Sequence, residues 1–94
     1  MTDVLPVPNP QVLFTEIDDG SGVLLHLETK FYYTLNPTGV IVWKALRDGN
    51  ASSIAALGER IAAEFRVAAA DAARDAEGLV AELLADGLLV KKPA

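Results

Sequence analysis

The chain contains no cysteine. Disulfides, thiolate metal sites and cysteine nucleophiles are therefore excluded, and a reducing compartment such as the cytoplasm is the expected setting. His26 is the only histidine. A single imidazole with no cysteine beside it is not a zinc signature; in the middle of a strand it is expected to face solvent. Basic residues are also few, 8 Lys and Arg against 13 Asp and Glu, for a net charge of -5. Binding nucleic acid through its phosphates needs a basic face, and so does adsorption to anionic lipid, so neither partner is expected. No apolar run reaches the roughly 18 residues that cross a bilayer. The densest stretch, Leu79 to Val90, is broken by Glu82, Asp86 and Gly87. Met1 to Pro6 lacks a basic segment followed by an apolar core, and no secretion signal is read there.

What remains is a small, apolar-rich domain. The 94 residues are 51% hydrophobic, which excludes a disordered acidic tail. Area scaling gives a folded surface near ~5,200 Å² against ~14,500 Å² unfolded, enough burial for one core and not for two. Residues 1–10, with prolines at 6, 8 and 10, read as an extended and loose N-terminal arm, and 11–94 as the domain proper.

Alternating apolar residues predict three strands. The first covers Val12 to Ile17, and the turn formers Asp18-Asp19-Gly20-Ser21-Gly22 follow it. The second puts Val23, Leu25 and Leu27 on one face and Leu24 and His26 on the other. After the polar Glu28-Thr29-Lys30, the third places Phe31, Tyr33 and Leu35 inward and Tyr32 and Thr34 outward. The period then changes to 3.6. Asn36 as cap and Pro37 as first residue start a helix running to about Leu46, with Val40, Trp43 and Leu46 on its buried stripe and Asp48-Gly49-Asn50 as its stop. A second helix spans about Ser52 to Arg66, with Ile54, Leu57, Ile61 and Phe65 inward. A third spans about Ala70 to Asp86, starting uncapped in Ala68-Ala69-Ala70. Gly87 ends it, Leu88-Leu89-Val90 folds back, and Lys91 and Lys92 complement its dipole. Trp43 and Phe65 are expected at the centre of the core.

No catalytic constellation emerges. An active site needs a positioned nucleophile, an acid or base, or a metal. Asp18 to Gly22 fails as a calcium loop, because the position for its last ligand falls on Thr29 and its centre on Val23-Leu24-Leu25. Gly20 and Gly22 precede a strand rather than a helix and so do not cradle phosphate. The chain is not expected to be an enzyme or to hold a cofactor or metal.

Three strands in a meander leave two open edges, and an open edge is either protected or used. The third strand ends the meander, and its outward residues Tyr32 and Thr34 are neither lysine nor proline, the usual blockers. Either helix three covers this strand or a groove lies between them. Self-association as a homodimer through that strand is one competing reading. A DNA-binding or regulatory winged helix is another, opposed by Asp71, Asp75, Glu77, Glu82 and Asp86 against the single Arg74 of helix three.

The run Val23-Leu24-Leu25-His26-Leu27, then Tyr32-Tyr33-Thr34-Leu35-Asn36-Pro37-Thr38-Gly39 with Trp43, then Leu46-Arg47-Asp48-Gly49, resembles the PqqD-like family. So does the ending, where Asp75, Leu79, Val80 and Leu83 lead to Gly87-Leu88-Leu89. The similarity spans about residues 12–90, and departs from the family pattern at Ala76 and Gly78. It implies an α+β, winged-helix-like domain, a three-stranded antiparallel sheet followed by three helices. It implies a RiPP recognition element of natural-product biosynthesis, a peptide chaperone. Such a domain binds the leader of a ribosomally made precursor peptide and presents it to a peptide-modifying enzyme. Carried over by position, the leader adds a strand along Phe31, Tyr32, Tyr33, Thr34 and Leu35 and lies against Asp75, Leu79, Glu82, Leu83 and Asp86 of helix three. Tyr32 is the aromatic expected to face the ligand, and Tyr33 the one expected in the core. The flank of Asp71, Asp75, Glu82 and Asp86 reads either as a partner for basic leader residues or as an ordinary solvated face.

Overall fold

A computed structural model describes residues 5–17, 19–49 and 53–91. The expected turn residue Asp18, the helix stop Asn50, the helix start Ser52 and the dipole partner Lys92 lie outside the described residues. In chain order the elements are β1 (Val7–Pro8), β2 (Val12–Glu16), β3 (Gly22–His26), β4 (Tyr32–Leu35), α1 (Pro37–Asp48), α2 (Ile54–Phe65), α3 (Ala69–Ala85) and β5 (Leu89–Val90). The α+β order of a three-stranded sheet followed by three helices is as the sequence predicts, with two short strands, β1 and β5, added at the ends.

The sheet is antiparallel in the order β2-β3-β4, pairing Leu13 with Leu25 and Leu25 with Tyr32. At the β2–β3 turn Asp19 Oδ1 accepts from the Ser21 amide at 2.9 Å, and Gly20 takes a positive φ of 91°. At the β3–β4 turn Lys30 adopts the left-handed region (φ 63°) that asparagine or glycine usually fills.

Local chemistry sets the helix ends. Asn36 Oδ1 accepts from the Gly39 amide at 2.8 Å and Pro37 takes the first helical position, while Gly49 closes α1 at φ 69°. Ser53 caps α2, accepting from the Ala56 amide at 3.1 Å. As expected, α3 has no side-chain cap at Ala68. Its other end is a paired two-bond stop: the Gly87 amide donates to Leu84 C=O at 3.1 Å and the Leu88 amide to Leu83 C=O at 2.9 Å, with Gly87 at φ 77°. The chain thereby reverses into β5, which pairs with β1 through Val7–Val90 and Pro8–Leu89. The arm expected to be loose is thus tied down from Val7 onward.

The core gathers Leu24, Leu35, Val40, Val42, Trp43, Leu46, Leu57, Ile61, Ala72, Ala76, Val80, Leu83, Leu88 and Leu89. Trp43 is 2% exposed and sits 6.3 Å, centroid to centroid, from the tilted ring of Phe14. Four expectations are corrected. Phe65 is 39% exposed, because α2 ends there and its buried stripe stops at Leu57, Gly58 and Ile61. Phe31 is exposed, because it lies in the turn just before β4. The core-facing side of β3 is that of Leu24 and His26; Val23 and Leu25 are only half buried on the other side. His26 is therefore not solvated but 5% exposed, its Nδ1 accepting from the amides of Glu28 and Thr29 at 3.2 and 3.3 Å. Its Nε2 lies 3.4 Å from Asn9 Nδ2, which donates to Gly87 C=O at 2.9 Å. Polar partners in the N-terminal arm and the turn make this burial tolerable.

Helices α2 and α3 approach closely at Gly58. A Cβ there would stand 2.7 Å from both the Cβ and the amide nitrogen of Ala73 and 2.8 Å from Ala69 C=O. Contact this close, between small residues, fixes α3 against the rest of the fold.

Trp43→Ala is expected to cost roughly 3–5 kcal/mol, close to the whole stability of a domain this size, and Phe65→Ala about 1 kcal/mol or less. Urea denaturation of the two variants checks the contrast.

Candidate functional site

Strand β4 is an edge, and its hydrogen-bonding parity decides which groups it offers. The His26 amide donates to Phe31 C=O at 2.9 Å, and Leu24 stands opposite Tyr33 and Gly22 opposite Leu35. In an antiparallel ladder such groups alternate, so Phe31, Tyr33 and Leu35 bond back to β3. The amide and carbonyl of Tyr32 and Thr34 point the other way, to the open side. Strand β2 is the second edge of the sheet.

Beside β4 lies a depression of about 440 Å³, lined by Tyr33, Thr34 and Leu35 of the strand, Asn36, Pro37 and Gly39 at the start of α1, Leu79 of α3, and Asp19 and Ser21. A smaller hollow of about 210 Å³ adjoins it and shares Asn36, Gly39 and Leu79, reaching on to Asp75 and Ala76. The trough is thus walled by β4 and α3 and closed at one end by the first turn of α1. Gly39 keeps that end open: a Cβ there would meet Leu35 Cδ2 at 3.1 Å and Asn36 Oδ1 at 3.3 Å.

The residues expected at the site are distributed as follows. Tyr33, Thr34, Leu35, Asp75 and Leu79 line the trough. Leu35 does so as floor, being 1% exposed. Leu83 is wholly buried beneath α3. The side chain of Tyr32 is 67% exposed on the outer face of the sheet, so only its backbone faces the trough side. Phe31 is exposed at the start of the edge. Glu82 accepts a hydrogen bond from the Tyr33 hydroxyl, joining α3 to β4, and Asp86 lies close enough to act on that phenol. On the flank only Asp71 has a basic partner among the described residues, Arg74 at 3.5 Å. Sequence reading missed Asn36, Pro37, Gly39, Asp19 and Ser21. Gly39 carries a signal: glycine in the first turn of a helix costs about 1 kcal/mol relative to alanine, a cost that marks close approach. Among the described residues no three His, Asp or Glu side chains gather as metal ligands, and no helix is long and apolar enough to cross a membrane.

The family model for coenzyme PQQ synthesis protein D (PqqD) matches residues 21–89, which include the β3–β4 hairpin, all of α1 and the described part of the α2–α3 pair. The chain belongs to the PqqD family. Two solved structures resemble this PqqD-family chain over nearly its full length. The structure of TbiB1 in complex with the TbiA(beta) leader peptide superimposes with a TM-score of 0.79 at 27% identity, covering 94% of this chain and 99% of that one. The structure of lasso peptide synthetase B1 complexed with the leader peptide gives a TM-score of 0.77 at 29% identity, covering 90% and 96%. No curated protein matches.

The PqqD-family trough has a distinctive electrostatic feature at Tyr33. Burial, then the bond to Glu82, then the charges of Glu82 and Asp86 push its phenol from the ordinary 10.0 up to about 12. The neutral phenol is the form the fold favours. Its contribution to stability is fully present below about pH 10 and is lost as pH rises toward 12. The stability difference between the native chain and Tyr33→Phe should therefore be constant from neutral pH to about 10 and shrink between 10 and 12. Urea midpoints measured across that range check it, and a difference that ignores pH would contradict it.

Proposed function

We propose that this chain binds the leader segment of a ribosomally made precursor peptide and presents the precursor to a peptide-modifying enzyme. The leader adds as a strand along β4 and lays alternate side chains into the trough against α3. The observation that carries this reading is the open edge of β4, with the Tyr32 and Thr34 groups directed outward beside an apolar-floored trough. Its support from relatives is that both similar structures are complexes with leader peptides.

Magnitudes set the division of labour. Ordering a flexible peptide costs roughly 1–2 kcal/mol per residue, and each backbone hydrogen bond returns about 0.5–1.5 kcal/mol. These nearly cancel. Affinity therefore comes from apolar leader side chains entering the trough, at roughly 1.5–3 kcal/mol for each large one fully buried. The strand sets register and the trough sets choice. The role asks for no acid, base or nucleophile: the domain holds the substrate and the partner enzyme does the chemistry. A DNA-reading role is disfavoured by α3 itself, where Asp71, Asp75, Glu77, Glu82 and Asp86 outweigh Arg74.

Thr34→Pro isolates the strand contribution. The Thr34 amide faces away from β3, so its loss leaves the β3–β4 ladder intact. The fold should persist by circular dichroism while leader affinity falls at least about tenfold, from one lost hydrogen bond plus the bulk of the ring. Undiminished binding would show that the peptide does not pair with β4.

A further inference from the structure

Resting on the leader-binding reading, a second property follows from the one side-chain hydrogen bond that joins β4 to α3 among the described residues, Tyr33 Oη to a Glu82 carboxylate oxygen. We propose that this bond is a bar across the trough, held by the free domain, which the leader must open before it seats.

The geometry is that of strand addition. Tyr33 bonds back to β3, so an antiparallel strand laid on the other side of β4 faces it as a non-hydrogen-bonded pair. That is the pairing in which opposing side chains stand closest. The leader side chain opposite Tyr33 points to the same face, into the space between β4 and α3 that the phenol crosses to reach Glu82. Both cannot hold their positions. Nothing else among the described residues competes for the carboxylate: the ion pairs are Lys44–Glu16, Arg47–Asp48 and Arg74–Asp71, none involving Glu82 or Asp86. The phenol stays protonated far above neutral pH and so remains a donor. The bar crosses beside the pocket end of the trough, leaving the Gly39–Leu79 recess lined and accessible while closed. A ligand that binds only the open state has its apparent affinity reduced by the open fraction.

The test is fluorescence anisotropy with a labelled synthetic leader peptide, taken from a short precursor gene sought in the neighbourhood of this chain's own gene. Tyr33→Phe removes one oxygen and keeps the ring. It is expected to bind roughly twofold to tenfold tighter than the native chain, the span one net hydrogen bond covers. Equal or weaker binding overturns the inference, weaker binding marking the hydroxyl as a leader contact instead. Should Tyr33→Phe fail to fold by thermal unfolding, Glu82→Ala, which leaves the phenol no acceptor, replaces it, with tighter binding again expected and equal or weaker binding again decisive against. Ultraviolet titration of the tyrosines, native against Glu82→Ala, reads the bar without any peptide. The high phenol titration should move down toward 10 in the variant, and an unmoved one overturns the inference. If neither protein binds the peptide while the titration does move, the leader reading has failed, not the existence of the bond.

Discussion

A backbone amide and carbonyl that meet no strand must find water or a guest, and two adjacent pairs of them, at Tyr32 and Thr34, organise this molecule. Their direction is fixed by parity: once His26 bonds Phe31 and Leu24 stands opposite Tyr33, the even-numbered residues of β4 face outward. An extended peptide needs only that row of groups for its register. It needs something apolar beside the row for its energy, and Leu35 and Leu79 provide the floor and far wall.

Much of the remaining structure holds that far wall in place. Gly58 lets α2 sit directly on Ala69 and Ala73 of α3. The paired stop at Gly87 turns the chain into β5, which β1 then straps to the N-terminal arm. Asn9 and buried His26 join that strap to the turn leading into β4. Both walls are thus referred to one polar cluster at one end and to the capped start of α1 at the other. The uncapped first turn of α3 is the weak place in this frame.

The legible parts of the sequence were those governed by local chemistry. Asn36-Pro37, Gly49 and Gly87 act where they stand in the chain, and the helices and strands they bound follow within a residue or two. The edge at β4 was readable from chain order and from Tyr32 and Thr34 lacking the usual blockers. The misses share a different cause. His26 looked solvated because its partners, Asn9 and the turn amides, are brought to it by tertiary folding. The face of β3 that meets the helices is set by the helices against the alternation, which puts Val23, Leu25 and Leu27 on the more apolar side and Leu24 with His26 on the buried one. Phe65 has helical spacing from Ile61 but lies beyond the point where α2 leaves the core. At the candidate site the strand residues were assigned by position. The start of α1 was overlooked because Asn36 and Gly39 already had a sufficient role as cap and first turn.

The central claim is most directly tested by residue-resolved amide hydrogen exchange, by NMR, with and without the leader peptide. The account predicts that the amides of Tyr32 and Thr34 exchange rapidly in the free domain and become protected on binding, while those of Tyr33 and Leu35 are protected in both states. Protection gained along β2 instead, or no change at Tyr32 and Thr34 in a saturated complex, would contradict it.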